Sequence, residues 1–188
     1  MLPGISSFPQ LLTGRLLLRK LEITDAEQIF SLRSNDVVNK YLDRPKANTV
    51  EDAKAFIQKI SFGNSNNHWI YWAICFHNQP QLMGTICLWN FSEQENKSEI
   101  GYELLPEFHN KGIMQEAFSA VVKFAFDVLK LNRIEAWTVL QNESSIKILK
   151  RNYFERDNEL EDKIDRVNDG PDTIIFSLSK KAYLNRGL

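Results

Sequence analysis

Cysteine is scarce in this chain of 188 residues: there are two, Cys75 and Cys87. Both lie in apolar, strand-like runs and neither has an evident basic neighbour. Buried free thiols in a reducing compartment fit that placement, with a disulfide or a catalytic thiol as the lesser alternative. Histidine is almost as rare. His68, His77 and His109 are far apart and show no ligand spacing, so no metal site is expected. An excess of charge of one sign is also missing. Lys plus Arg number 23 against 24 Asp plus Glu, a formal net charge of -1. That argues against a protein that coats nucleic acid, although a local basic pocket stays open. No run approaches the ~20 apolar residues needed to span a bilayer. The N-terminus, MLPGISSFPQLL, lacks a basic segment followed by a long apolar one, so no signal peptide is expected. A cytoplasmic protein with neither membrane nor nucleic-acid partner, monomer or homodimer, is the default.

What is present is ordinary for a globular protein: 43% hydrophobic and 25% charged residues. Without repeats, low-complexity tracts or a linker, residues 1–188 read as a single domain, long enough for a substantial core. Leu16 to Lys20 reads as a strand. Thr24 to Glu27 has the form of a capping box and predicts a helix to about Asn35. Thr49 with Asp52 predicts another, ending near Ser61, with a loop from Gly63 to Asn67. Trp69 to Phe76 and Leu82 to Asn90 read as an antiparallel hairpin, and Glu99 to Leu105 as the next strand. From Met114 to Leu129 the apolar residues recur at helical spacing. Arg133 to Val139 is a strand, Asn142 caps a helix to about Arg151, a short strand lies near Phe154, and Thr173 to Leu178 is the last. The sum is an α/β chain with a mixed sheet of about seven strands and four helices on its faces.

The chemistry is concentrated in one strand-turn-helix unit. Ile100 to Leu105 lead through Pro106 to Lys111 to Gly112, which opens the long helix. A helix start presents unpaired N–H groups and the positive end of the macrodipole, so it suits an anion such as a pyrophosphate. Gly112 permits close approach or an unusual dihedral, and Lys111 adds charge. By itself this is a weak signal, because any helix after a turn offers as much. The glycine spacings of a Walker loop and of a dinucleotide fingerprint are both missing.

Several short motifs, in order and spacing, resemble the GNAT acetyltransferases, in particular the RimJ/RimL-like branch. They are Thr13-Gly14-Arg15-Leu16 with Leu18-Arg19; Glu99-Ile100-Gly101-Tyr102; His109-Asn110-Lys111-Gly112-Ile113-Met114 with Glu116-Ala117; Arg133-Ile134-Glu135-Ala136; and Asn142-Glu143-Ser144-Ser145 with Ile148-Leu149. The resemblance covers nearly the whole chain. Three stretches depart from it: His109 where Gln, Arg or Trp is usual, Asn110 where Gly is common, and Asn152-Tyr153-Phe154 where Leu-Gly-Phe is usual. Asn tolerates a left-handed backbone best among non-glycine residues, so the loop can keep its shape.

The resemblance implies a GNAT-like, mostly antiparallel sheet whose fourth and fifth strands splay at Leu104 to Pro106. It implies acetyl-CoA as co-substrate, its pantetheine arm between those strands and paired with Leu104 and Leu105. One of their N–H groups then stabilises the oxyanion. Amides of Asn110, Lys111, Gly112, Ile113, Met114 and Gln115 hold the pyrophosphate; Asn142 faces the arm and Ser145 its sulfur. Blander readings stand beside these. Asn142 and Ser145 also make an ordinary N-cap. Glu99 and Glu103 share a strand face that can simply be solvated, and Asp165 lies in a charged run, Glu155 to Asp169. Any of these three carboxylates is a candidate base.

The implied reaction is direct attack of a primary amine on the thioester in a ternary complex. The amine must be neutral, which far more α-amines than lysine amines are at pH 7. The acceptor is either a protein N-terminus, of the ribosomal-protein type, or a small-molecule amine. Tyr41 to Trp72 is expected to line its cleft. A catalytically silent acyl-CoA-binding or regulatory module is the alternative.

Overall fold

The computed structural model describes residues 7–165 and 169–185. The strands are β1 (Leu11–Leu12), β2 (Leu16–Lys20), β3 (Ile70–Phe76), β4 (Gln79–Ser92), β5 (Lys97–Leu104), β6 (Arg133–Val139), β7 (Glu155–Arg156) and β8 (Thr173–Ser179). The helices are α1 (Ala26–Ser34), α2 (Asp36–Asn39), α3 (Val50–Ser65), α4 (Ile113–Asp127), α5 (Glu143–Arg151), α6 (Asn158–Glu161) and α7 (Lys180–Leu184). The architecture is the expected mixed α/β one, an open sheet of eight strands in the order β1-β2-β3-β4-β5-β6-β8-β7. The elements beyond those expected, β1, α2, α6 and α7, have five residues or fewer. Such short pieces show no periodicity to read.

Among the described residues only β5 and β6 pair in parallel; every other pairing is antiparallel. The parallel pair follows from the chain path, because a helix, α4, carries the chain back between the two strands. α4 buries Ile113, Met114, Ala117, Phe118, Val121, Val122 and Ala125 against the sheet. These join Leu16, Leu18, Trp72, Ile86, Ile100, Leu104 and Ile134 in the larger core cluster. A smaller cluster on α1 and α3 holds Ile29, Ala53, Ile57 and Ile60 with Ala73, Cys75 and Leu82. Burial pushes the Cys75 thiol up to about 11 and that of Cys87 to about 12, so neither offers a thiolate near neutrality.

Two local expectations need correction. The Thr24 cap is not used. Asp25 turns inward instead, accepting from the Glu22 N–H and pairing through both oxygens with the buried Arg19 guanidinium at 2.7 and 2.8 Å. A buried carboxylate that finds a bidentate partner outcompetes a surface cap. Second, α3 runs on through Gly63 to Ser65. A Cβ at Gly63 would lie 2.0 Å from the Trp69 indole. That glycine therefore makes room for a ring and does not end the helix. The Thr49–Asp52 capping box opens α3 as expected.

Candidate active site

The site begins where the sheet comes apart. β5 and β6 pair only at Lys97↔Arg133, Ser98↔Ile134 and Glu99↔Glu135, yet β5 runs on to Leu104 and β6 to Val139. The opening therefore starts just past Glu99, well before the Leu104 to Pro106 stretch where the sequence comparison put it. β5 stays paired with β4 up to Gly84↔Leu104, and β6 with β8 throughout. Each wall of the gap is thus anchored from behind. The Leu105 N–H donates to the Met83 carbonyl at 2.9 Å, and the Leu105 carbonyl accepts from the Phe108 N–H. Antiparallel ladders alternate, so the neighbouring Leu104 N–H points the other way, into the gap. The Leu104 carbonyl is held by the His109 ring, whose Nε2 lies 2.9 Å away.

At the wide end of the gap lies the loop into α4. Asn110 has φ 61° and Gly112 φ 71°, both left-handed. No side chain caps α4 at Gly112, and its first backbone bond runs from the Glu116 N–H to the Gly112 carbonyl. Among the described residues the N–H groups of Ile113, Met114 and Gln115 therefore have no side-chain acceptor, as at any uncapped helix start, where an anion is favoured. The loop is braced from a distance. Glu116 accepts from the Thr13 hydroxyl (2.6 Å), the Arg15 N–H (2.8 Å) and the Arg15 Nε (2.7 Å), and Arg15 also donates to the Lys111 carbonyl. Burial alone would raise the Glu116 carboxyl, but those donors outweigh it and hold the group below the usual range.

A family model for the acetyltransferase (GNAT) domain matches residues 15–155. The N-acetyltransferase YoaA of Bacillus subtilis (strain 168) is 33% identical, covering 92% of this chain and 98% of its own. The chain belongs to the GNAT acetyltransferase family. Among solved structures, a GNAT-family acetyltransferase from Bacillus anthracis shares 25% identity at a TM-score of 0.75, over 92% of this chain and 99% of that one. The microcin C7 self-immunity acetyltransferase MccE, solved in complex with acetyl-CoA and AMP, shares the fold at a TM-score of 0.75 and 21% identity, over 89% of this chain and 93% of MccE.

In this acetyltransferase, period-two alternation puts different chemistry on the two faces of β5. Tyr102 faces α4, its ring edge-on to Phe118 with centroids 5.2 Å apart. Its hydroxyl lies 2.8 Å from Ser145 Oγ. Burial pushes the Tyr102 phenol well above its ordinary value, and the Ser145 contact offsets only part of that, so the phenol keeps its proton. Asn142 caps α5, its Oδ1 accepting from the Ser145 N–H at 3.2 Å. The ordinary capping role thus exists alongside any role of the Asn142 amide NH2. The far end of α5 is pinned to α4 by Asn152, whose Oδ1 accepts from Gln115 Nε2 and Ser119 Oγ, both at 2.9 Å.

The opposite face carries the carboxylates. Glu103 meets the Arg44 guanidinium with both oxygens and accepts from Tyr71 Oη (3.3 Å) and Thr85 Oγ1 (3.2 Å). Three of these contacts are to Oε1 and one, from Arg44, is to Oε2. Glu99 sits beside the last paired rung and binds the Asn90 amide. Burial pushes its carboxyl up; the Asn90 contact opposes this, and the nearby Glu135 adds to the rise. Asp165 lies on the exposed chain after α6, where its N–H donates to the Asp169 carboxylate. Asp169 in turn is within electrostatic reach of Glu99.

The structure thus brings Leu104, Ser145 and Asn142 to one side of the gap and Glu99 and Glu103 to the other. Asn110 to Gln115 lie at its mouth. Reasoning from sequence missed Tyr102, Arg44 and the Glu116–Arg15 brace. Thr13, Arg15, Tyr102 and Glu116 do stand inside the quoted motifs, and they are the part of the signal that local spacing could have supplied. The three departures from the family pattern keep backbone shape. Asn110 is left-handed, His109 holds a carbonyl, and Tyr153, at φ 65°, closes α5 with bonds from Phe154 N–H to Leu149 and Tyr153 N–H to Lys150. That is a Schellman ending with tyrosine at the position glycine usually fills.

Proposed function

We propose that this acetyltransferase takes acetyl-CoA as donor and passes the acetyl group to a primary amine by direct attack in a ternary complex, as the resemblance to the RimJ/RimL-like branch implies. The observation that carries the proposal is the gap that opens between β5 and β6 past Glu99, with an uncapped helix start at its mouth. The residues fit the donor. An extended amide-bearing arm finds strand edges in the gap, and a pyrophosphate finds the N–H groups of Ile113 to Gln115. MccE, which shares the fold, was solved with acetyl-CoA.

The division of labour follows the two faces. The amine arrives from the carboxylate face, where Glu99, held above the usual glutamate range, accepts its proton through water, because five residues of strand separate it from Leu104. The N–C bond forms while the Leu104 N–H receives the oxygen as it gains charge. On the other face, Tyr102 donates to Ser145 Oγ, leaving the serine hydrogen free for the departing thiolate as the C–S bond breaks. Solvent restores the serine proton. Thiol leaving groups have a pKa near 8.5, so this donor gives modest help. Most of the rate comes from holding the two substrates together. The acceptor amine is an α-amine or a similarly weakly basic one, because Glu99 alone does little for an amine as basic as lysine. The cytoplasm suits a protein with two free thiols.

The test is CoA release by the purified protein with acetyl-CoA and a panel of peptides and polyamines. Amine-dependent release is expected, and mass spectrometry should show one acetyl group on the amine. CoA binding with no release above the hydrolytic blank for any amine would favour the silent module instead.

A further inference from the structure

Four arginines of the described residues are buried or half-buried: Arg19, Arg33, Arg44 and Arg133. Three have carboxylate partners, Asp25, Glu103 and Glu135 respectively. Arg33 has none. Its guanidinium carbon lies 4.0 Å from the centre of the Phe56 ring, and its side chain makes no hydrogen bond among the described residues. Phe56 meets Tyr71 edge-on at 5.8 Å, and the Tyr71 hydroxyl reaches Glu103. The Arg33 backbone carbonyl accepts from Asn39 Nδ2 and the Ala47 N–H, while Asn39 Oδ1 accepts from Arg44 Nε at 2.9 Å. Arg33 and Arg44 therefore stand on one scaffold beside the carboxylate face of β5, one residue from Leu104.

The charges in this cluster do not balance. Glu103, with its side chain 7% exposed, gives both oxygens to Arg44 and takes two hydroxyl contacts as well. Three of those contacts fall on Oε1 and one on Oε2, and none comes from Arg33. Arg33 is half removed from water; burial, then the Arg44 charge, work against its own, and the nearby Glu103 charge offsets only part of that. A desolvated cation with unused donors is costly unless an anion completes it. A planar fork held rigid on an aromatic face is well matched to a carboxylate or phosphate, which it binds through two parallel N–H bonds.

The geometry points to Arg33 as the receptor for an oxyanion, a carboxylate or a phosphate, carried by the amine acceptor. The inference rests on the reading of this face as the acceptor side. It makes the substrate a small amine bearing an anionic group close to the nitrogen, or a peptide whose early residues carry one. Arg33 is then a residue of specificity, acting on acceptor binding and not on bond making.

Two matched pairs of acceptors test this: phosphoethanolamine against ethanolamine, and a dipeptide against its C-terminal amide. The wild-type enzyme should prefer one or both anionic members by tenfold or more in kcat/KM, and which pair responds separates phosphate from carboxylate. Arg33→Gln should bring that ratio close to one, mainly through KM, while turnover of the neutral member stays within about twofold. Arg33→Lys keeps the charge without the fork and should fall between; if the glutamine variant melts early, the lysine variant carries the comparison. A ratio near one in the wild type for both pairs, or a preference that survives in Arg33→Gln, overturns the proposal. Calorimetry of the same four amines on CoA-saturated protein separates it from the acetyl-transfer reading. Binding of an anionic amine that Arg33→Gln loses, with no turnover of any amine, leaves the oxyanion site standing and removes the reaction. Turnover of neutral amines with no anion-dependent binding does the reverse.

Discussion

Removing the hydroxyl of Ser145 separates a chemical role from a structural one, and the structure supplies the size of each. Ser145 Oγ and Tyr102 Oη are 2.8 Å apart on the α4 side of the gap. Ser145→Ala leaves the Tyr102 hydroxyl only its long contact, 3.5 Å, to the backbone carbonyl of residue 145, in a place where burial already holds the phenol well above its ordinary value. An unsatisfied buried hydroxyl costs about 1–3 kcal/mol, and the remaining carbonyl contact puts this one at the lower end. Tyr102→Phe leaves only the smaller, rotatable serine hydroxyl and should cost about 1 kcal/mol. The double variant removes both ends, so it should be no less stable than Ser145→Ala and is expected to regain part of the loss. A relay predicts a parallel pattern in rate. Ser145→Ala should lower kcat about ten- to a hundredfold, at or below the bottom of the general-acid range, because the thiolate is a fair leaving group unaided. KM for acetyl-CoA should change little, since the lost interaction belongs to the transition state. Tyr102→Phe should lower kcat less, and the double variant no more than Ser145→Ala. Thermal melts beside steady-state CoA release give both sets of numbers. Equal turnover per folded molecule in Ser145→Ala and the parent would refute the relay and leave the pair as a packing contact.

Gly112→Glu should abolish acetyl-CoA binding in calorimetry: it forces a side chain at φ 71° and sets a carboxylate beside the outward N–H groups of α4. Asn110→Gly should leave that affinity within a few-fold, since Asn110 already holds the left-handed shape, and total loss would mean that the Asn110 side chain itself touches the ligand. Glu99→Gln should remove the acidic limb of the kcat/KM profile. In the parent that limb lies above the ordinary glutamate value, because burial raises the group: it is the deprotonated base only above its raised pKa, and activity falls as pH drops through it. An unchanged limb in the variant would assign the base elsewhere. Ser98→Ala should raise the melting temperature: Ser98 Oγ is buried without a hydrogen-bond partner among the described residues, and removing an orphaned hydroxyl gains about 1 kcal/mol or more. A drop in stability would show that a water or a relaxed rotamer satisfies it.

The elements that sequence spacing revealed are those whose cause is local. Asn142 caps α5, Thr49 and Asp52 box α3, and β6 spans Arg133–Val139 as its β-branched and aromatic content suggests. Each signal lies within four or so residues of its effect. The misreadings share the opposite property. Asp25 looked like part of a surface cap because its partner, Arg19, lies on β2 and reaches it only once the sheet has formed. Gly63 looked like a stop because the ring that demands it, Trp69, lies beyond the helix. Arg44 carries no motif; it matters because it meets Glu103, fifty-nine positions away.

The point at which the strands part was misplaced for a related reason. Nothing in Ile100 to Leu104 marks it as unpaired on one edge, because β5 has a full partner in β4 over the same residues. A strand paired on one side reads like a strand paired on both. The separation is set by β6, which follows β8 from Arg133 to Val139 and is drawn away from β5 past Glu135. Sheet twist rotates neighbouring strands by about 20°. β5 follows β4 and β6 follows β8, and the two stay in contact here over three residues. Once the edge is free, alternation does the rest. The Tyr102 side chain goes to the α4 side, the Glu103 side chain to the opposite side, and the Leu104 N–H into the space between them. On the proposed mechanism, the partner of the Ser145 hydroxyl, the proton acceptor and the oxyanion contact all come from six consecutive residues, Glu99 to Leu104. The same six residues without the gap would be an unremarked central strand.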